Sequence, residues 1–177
     1  MHYIFTSLLL SIFFASSYSI VDFSSSTEMS RWQIIDDGVM GGKSKGQFRL
    51  NEEGHAEFSG RISLKNFGGF SSVRCQPKSI EVKKYTRISL KIKGDGKDYQ
   101  FRIKKDKSDS FSYVQQFTTS GKWQTLELPL NQFYPSFRGR KLNLPNFSAS
   151  LIEEITFLIG NKKEEEFLLL IDEVKLI

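Results

Sequence analysis

The segment Asp36-Asp37-Gly38-Val39-Met40-Gly41-Gly42-Lys43-Ser44, named the glycine corner below, is the most informative stretch of this chain. Its three glycines predict a sharply folded backbone, because glycine adopts positive φ and admits the close approach of another segment. The two aspartates fit the same interpretation, since an Asp side chain accepts hydrogen bonds from backbone N–H groups two residues further on. The segment therefore predicts a corner between strands, and it matches no phosphate-binding motif.

Beyond this corner, apolar and polar residues alternate, which is the pattern of strands buried on one face. The turn Gly94-Asp95-Gly96-Lys97 predicts a hairpin between the strands on either side of it. Many short strands separated by turns predict an all-β fold, a two-sheet antiparallel sandwich. The predicted strands with the clearest patterns lie at 56–64, 87–93, 99–104, 111–117 and 123–130.

The last third of the chain carries weaker signals. Residues 155–159 and 167–177 are almost continuously apolar, which predicts strands that are buried on both faces or lie in the centre of the sandwich. A long irregular connection from 129 to 146 favours a jelly-roll path over a simple meander. Ser148 is predicted to cap a short helical turn at 149–154.

The N-terminal segment 1–19 contains no Lys, Arg, Asp or Glu, and its apolar run ends in small residues at 17 and 19. This layout predicts a secretory signal peptide, followed by a single domain at 20–177, and the run is short for a membrane span. We expect no transmembrane span after its removal and an exported location, whether periplasmic, cell-surface or secreted. The alternative is an uncleaved N-terminus with a mitochondrial or membrane-associated location.

Catalytic groups are scarce in this sequence. Two histidines and one cysteine favour neither a zinc site nor a Ser-His-Asp triad. We therefore predict no catalytic residue, no metal site and no cofactor. One enzymatic alternative remains, a carbohydrate-active enzyme in which Asp37 acts with Asp172 or Glu173, because glycosidases use two separated carboxylates.

The net charge of +5 is carried in part by basic residues that face outward on three predicted strands. If these strands are neighbours, they form a positive face suited to an acidic protein, an anionic polysaccharide or lipid head groups. The alternative is an ordinary solvated face. Nucleic acid is not predicted as a partner, because the aromatic residues of these strands point inward and leave no stacking platform. The outward basic residues are Arg61, Lys65, Arg87, Lys91, Lys93, Arg102 and Lys104.

Other segments occur in a fixed order around the glycine corner. They are Trp32, Phe58-x-Gly60, Asn66-Phe67-Gly68-Gly69-Phe70-Ser71-Ser72-Val73-Arg74, Lys93-Gly94-Asp95-Gly96 with Tyr99, Trp123 ahead of Leu128-Pro129, and Phe133-x-Pro135-x-Phe137-Arg138-Gly139-Arg140. This series resembles the complex I intermediate-associated protein 30 family over nearly all of 20–177. The resemblance implies a galactose-binding-like jelly roll, similar to carbohydrate-binding modules, with a non-catalytic role. Mitochondrial members of that family are assembly chaperones for respiratory complex I.

Most residues of these segments are predicted to shape the backbone or pack in the core. Met40 is expected to plug a turn with an apolar side chain, and Trp123 is expected to enter the core. The structural set is Trp32, Gly38, Met40, Gly41, Gly42, Gly68, Gly69, Gly94, Gly96 and Trp123. Ligand binding is predicted for Arg74, Arg138 and Arg140, because a guanidinium offers several directed donors, and for Asp37 and Ser44.

Three functions are compatible with these observations. The first is a non-catalytic exported binding or scaffold domain that engages a protein partner or a glycan. The second is an assembly factor for NADH:ubiquinone oxidoreductase, and the third is the carbohydrate-active enzyme named above. The sequence carries no signal for the oligomeric state.

Overall fold

The computed structural model describes residues 17–23 and 29–177. Residues 1–16 of the predicted signal segment lie outside the described residues. The described strands are β1 (Tyr18–Asp22), β2 (Trp32–Asp36), β3 (Lys45–Leu50), β4 (Ala56–Ile62), β5 (Ser71–Cys75), β6 (Ile80–Glu81), β7 (Arg87–Gly94), β8 (Asp98–Lys104), β9 (Ser112–Thr118), β10 (Trp123–Pro129), β11 (Tyr134–Phe137), β12 (Arg140–Lys141), β13 (Leu151–Ile152), β14 (Glu154–Ile159) and β15 (Glu165–Leu176). Short 3₁₀ turns lie at Met29–Arg31, Asp37–Met40, Lys65–Phe67 and Leu130–Gln132.

The strands form two large antiparallel sheets and one small one. Sheet A has the order β10-β7-β15-β4-β3, and β1 pairs with the end of β15. Sheet B has the order β12-β11-β9-β8-β14-β5-β2. The small third sheet consists of β6 paired with β13. The chain crosses repeatedly between the large sheets, for example from β2 to β3 through the glycine corner, from β4 to β5, from β7 to β8 and from β14 to β15. The predicted all-β antiparallel sandwich is confirmed.

A phenylalanine-rich core fills the space between the sheets. Phe58 of sheet A packs against Phe167 with ring centroids 4.8 Å apart, and Phe101 of sheet B packs against Phe157 at 4.9 Å. Both pairs meet edge to face, the geometry that the aromatic quadrupole favours. The residues that alternate inward on β4 and β8 therefore occupy the positions that the sequence pattern predicts.

The predicted hairpin at 94–97 is wrong. The turn is present, with φ of +86° at Gly96, but β7 pairs with β10 and β15 in sheet A while β8 lies in sheet B. A glycine-rich turn reverses the chain without specifying which strands will pair. Here it carries the chain from one sheet to the other.

Two predictions for the last third of the chain are also corrected. Glu154–Ile159 is buried along its length, as predicted, because β14 lies inside sheet B between β8 and β5. Strand β15 lies in the centre of sheet A, between β7 and β4, which is the second of the two predicted placements; it alternates, with Leu168 41% exposed and Leu169 fully buried, so its outer face is partly open. The helical turn predicted at 149–154 is wrong, since Leu151–Ile152 pairs with β6. The connection 129–146, predicted as irregular, contains the β11–β12 hairpin.

The basic residues do not form one continuous face. Strand β15 separates β4 from β7 in sheet A, and β8 belongs to sheet B. In sheet A the charges are partly compensated, because Lys91 pairs with Asp172 at 2.6 Å and Arg87 with Glu127 at 2.7 Å. The condition for a single positive face, that these strands are neighbours, is therefore not met.

Trp123 lies outside the core, contrary to the prediction. It is the first residue of β10, it is 38% exposed, and its ring centroid lies 4.6 Å from that of His55. Trp32 is buried as predicted and packs against Phe23 and Phe48. Within 17–23 and 29–177, no helix has the length and apolar character needed to cross a membrane.

Candidate functional site

The buried carboxylate of Asp37 organises the glycine corner. Its Oδ1 accepts a hydrogen bond from the Ser44 backbone N–H at 3.0 Å, and its Oδ2 accepts from the Gly69 and Phe70 N–H groups at 2.6 and 3.3 Å. The Ser44 hydroxyl also donates to Oδ2. Asp37 thereby ties the glycine corner to the 65–70 loop, which precedes β5.

The Asp37 carboxylate is ionised in the interior. Burial alone raises the pKa of this group, but the hydrogen bonds from Ser44, Gly69 and Phe70 outweigh burial and hold the pKa below its ordinary value. Ser44 is buried as well, and its hydroxyl accepts a hydrogen bond from the Ser63 N–H at 3.0 Å. The structure thus places Asp37 and Ser44, both predicted as binding residues, in an internal network with no open surface.

The glycines of this region make room for Asp37. A Cβ at Gly42 would lie 2.2 Å from Asp37 Oδ1, and a Cβ at Gly68 would lie 2.6 Å from Oδ2. Gly41 ends the 3₁₀ turn with φ of +87°. Gly38 faces open space, and the Met40 side chain lies outside the described part of the structure. Away from the corner, Gly94 packs under Thr119, and Gly69 follows Gly68 in the 65–70 loop.

A cleft of about 600 Å³ lies on the outer face of sheet B. Its floor is built from outward-facing residues on three neighbouring strands. They are Ser72 and Arg74 on β5, Thr156 and Leu158 on β14, and Gln100 and Arg102 on β8. Thr156 is in register with Arg74 on one side and with Arg102 on the other, so these three form one row across the floor.

Two loops supply further walls of the cleft. Gly69 and Phe70 come from the 65–70 loop, and Phe137–Gly139 comes from the β11–β12 turn. Arg138 adopts φ of +48° at this turn, and its guanidinium carbon lies 5.2 Å from the centroid of the Phe137 ring. The glycine corner therefore reaches the cleft indirectly, by holding the loop that contributes Phe70.

Positive charge predominates on the cleft floor. Arg74, Arg102 and Lys104 line it together with one carboxylate, Glu154, which is only 2% exposed. Glu154 lies 3.7 Å from Arg74 Nη1 and 3.9 Å from Lys104 Nζ. Arg102 donates to the Oε1 atom of Gln100 through both Nε and Nη2, at 3.0 and 2.6 Å. Burial lowers the pKa of Arg102, and the charge of Arg74 lowers it further.

The predicted binding arginines divide between the cleft and its surroundings. Arg74 and Arg138 line the cleft, whereas Arg140 is exposed on β12, beyond the lining residues. Gln100 also lines the cleft and was not predicted in any binding surface, while Arg102 and Lys104 were predicted only as part of a general basic face. The alternating basic residues of β8 are evident in the sequence. Only the pairing of both β5 and β8 with β14 shows that these residues lie near Arg74.

The carboxylates of the enzymatic alternative lie in separate networks. Asp37 bonds within the glycine corner, while Asp172 contacts His55 Nδ1 at 2.8 Å and Lys91 Nζ at 2.6 Å in sheet A. Glu173 pairs with Lys175 at 2.9 Å. Among the residues that the structure describes, no group of three His, Cys, Asp or Glu side chains is arranged to hold a metal ion.

Sequence comparison finds similarity to a protein family over most of the chain. A profile of the complex I intermediate-associated protein 30 family matches residues 21–171. An uncharacterized protein of Schizosaccharomyces pombe is 25% identical over an alignment of 169 residues, covering 82% of this chain and 77% of the yeast protein. The mitochondrial complex I intermediate-associated protein 30 of Drosophila melanogaster is 22% identical over 143 residues, or 68% of this chain and 48% of the fly protein.

Carbohydrate-binding modules share this architecture among solved structures. The family 11 module of a cellulosomal cellulase from Clostridium thermocellum has a TM-score of 0.69 at 20% identity, covering 92% of this chain and 95% of the module. The family 11 module of this organism in complex with a β-1,3-1,4-mixed-linked tetrasaccharide gives a TM-score of 0.67 at 20% identity, over 91% and 95%. These likenesses confirm the predicted jelly-roll fold.

Proposed function

We propose that this chain, which belongs to the complex I intermediate-associated protein 30 family, is a non-catalytic binding domain that holds a glycan in the cleft on sheet B. The cleft itself carries the proposal. It presents an in-register row of Arg74, Thr156 and Arg102, with Gln100 beside it, on a rigid sheet. Such a concave surface with a few convergent polar groups is typical of ligand sites.

The side chains of the cleft fit the chemistry of a saccharide. Guanidinium and amide groups donate hydrogen bonds to sugar hydroxyls, and the hydroxyls of Thr156 and Ser72 both donate and accept them. Phe70 and Phe137 add aromatic surface at the walls, against which the apolar face of a sugar ring can pack. The carbohydrate-binding modules with the same fold support the proposal, including the module solved with a bound tetrasaccharide.

A glycan array followed by isothermal titration calorimetry tests this function. We expect the purified chain to bind one class of oligosaccharide, and we expect Arg74→Ala and Gln100→Ala to weaken that binding at least tenfold. Arg49→Ala is the matched control, because Arg49 is an exposed arginine on β3 in the other sheet. A folded protein that binds no saccharide, or variants that bind as well as the parent, would contradict the proposal.

A second candidate is an assembly factor for respiratory complex I. Family membership and the name of the Drosophila relative favour it. Deletion of the gene should then reduce assembled NADH:quinone oxidoreductase on native gels, and reintroduction of the gene should restore it. Unchanged assembly in the deletion strain would remove this candidate.

Export of the chain is also part of the proposal, on the basis of the uncharged apolar segment 1–19. N-terminal sequencing of the protein expressed in its own host is expected to find a mature start near position 20. Strand β1 begins at Tyr18 and pairs Tyr18 with Leu176 and Ser19 with Lys175, so this cut would shorten β1 by two residues. A mature protein that begins at Met1 would contradict export by signal cleavage.

A further inference from the structure

The floor of the cleft places two arginines on either side of one threonine. Neighbouring strands lie about 4.8 Å apart, so the backbones of Arg74 and Arg102 are separated by about 10 Å across β14. Both side chains line the same cleft. Burial lowers the pKa of Arg102, Tyr134 raises it, and the positive charge of Arg74 lowers it. Two cations that line one cleft repel each other, and a negative group between or beside them offsets this repulsion.

The protein supplies too little negative charge to balance this cluster. Glu154 is the one carboxylate on the floor, it lies beside Arg74 and Lys104, and it also accepts a hydrogen bond from Gln76 at 3.0 Å. In the described part of the chain, no carboxylate lies within 4 Å of the Arg102 guanidinium. The floor therefore carries three cations and one anion.

A buried donor on the floor also lacks an acceptor. Arg74 Nε is shielded from solvent and has no hydrogen-bond partner among the described residues. An unpaired buried donor costs free energy, and that cost is higher for a charged group. Arg74 is therefore only partly satisfied by the protein, because Glu154 reaches its Nη1 at 3.7 Å and leaves Nε unpaired.

We infer that the glycan held in this cleft is anionic, and that its carboxylate or sulfate group lies between Arg74 and Arg102. The acid group would accept hydrogen bonds from the guanidinium groups of Arg74 and Arg102, and would offset the excess positive charge of the floor. Guanidinium groups match planar and tetrahedral oxyanions with paired, charge-assisted hydrogen bonds. Sugar hydroxyls can satisfy the donors but cannot balance the charge. This inference rests on the proposed function of the cleft.

Calorimetry on the full chain with three oligosaccharide probes tests the inference. The probes are an oligogalacturonate, a sulfated galactose oligosaccharide and the neutral β-1,3-1,4-mixed-linked glucan tetrasaccharide. We expect at least one acidic probe to bind tenfold or more tightly than the neutral probe at 50 mM salt, with an affinity that falls as salt increases. The comparison of the first two probes distinguishes a carboxylate ligand from a sulfate ligand.

Substitution of each arginine then locates the acid group. Arg74→Gln and Arg102→Gln should each weaken the acidic probe at least tenfold, and each should weaken the neutral probe by a smaller factor than the acidic probe. Arg102→Lys, which keeps the charge but loses the planar fork, should retain an intermediate affinity. Arg49→Gln removes one positive charge from sheet A and should leave the affinities unchanged. Thermal melting of every variant verifies that the variant is folded. Arg102→Gln leaves the contacts of Glu154 with Arg74 and Lys104 in place.

The outcomes separate this inference from the proposed function. Binding of the neutral probe in the cleft, with no preference for the acidic probes, would overturn the inference and leave the proposed function intact. An equal loss with Arg49→Gln would also overturn it, because the effect would then come from net charge alone. Failure of the folded protein to bind any saccharide, on the array and with these probes, would overturn both.

Discussion

At the scale of single residues, the carboxylate of Asp37 accepts more backbone hydrogen bonds than any other side chain in the described part of the chain. Its ionised carboxylate accepts three backbone N–H groups and one hydroxyl in the interior. Sequence reasoning predicted turn chemistry for the aspartates, but it did not predict that two distant motifs would share one carboxylate. That arrangement depends on Gly69 and Phe70, which lie far along the chain.

We predict that Asp37→Asn lowers the free energy of unfolding by about 2–4 kcal/mol, because the amide nitrogen would face donors and the charge-assisted bonds would be lost. Urea unfolding at pH 7 measures the change. Asp98→Asn is the control, since Asp98 is exposed and its carboxylate accepts a hydrogen bond from the Thr118 hydroxyl, while the Asn161 side chain donates to its backbone carbonyl. An effect of Asp37→Asn no larger than that of the control would show that the buried network contributes little.

The same variant predicts a pH dependence. The folded pKa of Asp37 is lowered, so its ionisation stabilises the fold above the unfolded-state pKa of about 3.9, and this contribution disappears as the pH falls through the folded value. The stability difference between the parent and Asp37→Asn should be constant between pH 6 and 7 and should shrink below about pH 4. A difference that grows on acidification would contradict the sign of the shift.

Phe67 is a second residue whose conformation invites a test. It is 97% exposed and adopts φ of +60° in the 65–70 loop. We predict that Phe67→Gly raises the free energy of unfolding by about 0.5–1 kcal/mol, because glycine adopts this left-handed conformation without strain. Phe67→Ala keeps the Cβ and should change stability by less than about 0.5 kcal/mol. Destabilisation by Phe67→Gly in chemical unfolding would mean that the backbone there is unstrained.

At the scale of elements, the connection between β2 and β3 depends on close packing of backbone against Asp37. We predict that Gly42→Ala lowers the free energy of unfolding by about 2 kcal/mol or more, because its Cβ would lie 2.2 Å from Asp37 Oδ1. Gly38→Ala is the matched control in the same turn, since a Cβ there meets nothing within 4 Å. Thermal denaturation of both variants gives the comparison, and equal effects would show that space around Asp37 is not limiting.

The elements also show where local patterns stop being informative. Alternation located β4, β7 and β8, because period two reports which face of a strand is buried. It did not distinguish a hairpin from a sheet-to-sheet crossing at 94–97, and it did not show that the outer face of β14 forms the floor of a cleft, whereas part of the outer face of β15 is exposed. In each case the deciding factor is the set of neighbouring strands, which a local pattern does not contain.

At the scale of the whole molecule, the inner faces of the sheets provide stability and the outer face of sheet B provides the candidate site. We predict that Phe101→Ala, in the core, lowers the free energy of unfolding by about 3–5 kcal/mol. Phe137→Ala, on the wall of the cleft, should cost less than about 1 kcal/mol. Its effect should instead appear as weaker glycan binding in calorimetry. A stability loss for Phe137→Ala equal to that for Phe101→Ala would contradict this division.

The sequence by itself determined the all-β class, the positions of most strands, the family and the corner at 36–44, because these follow from local periodicity, turn chemistry and an ordered set of motifs. The tertiary structure alone decided which residues form the cleft. Arg74 and Arg102 line the same cleft because β14 pairs with both β5 and β8. Trp123 lies outside the core because its side chain is on the solvent-exposed face of β10. Strand pairing between distant segments is fixed by the packing of the whole sandwich, so no single segment encodes it.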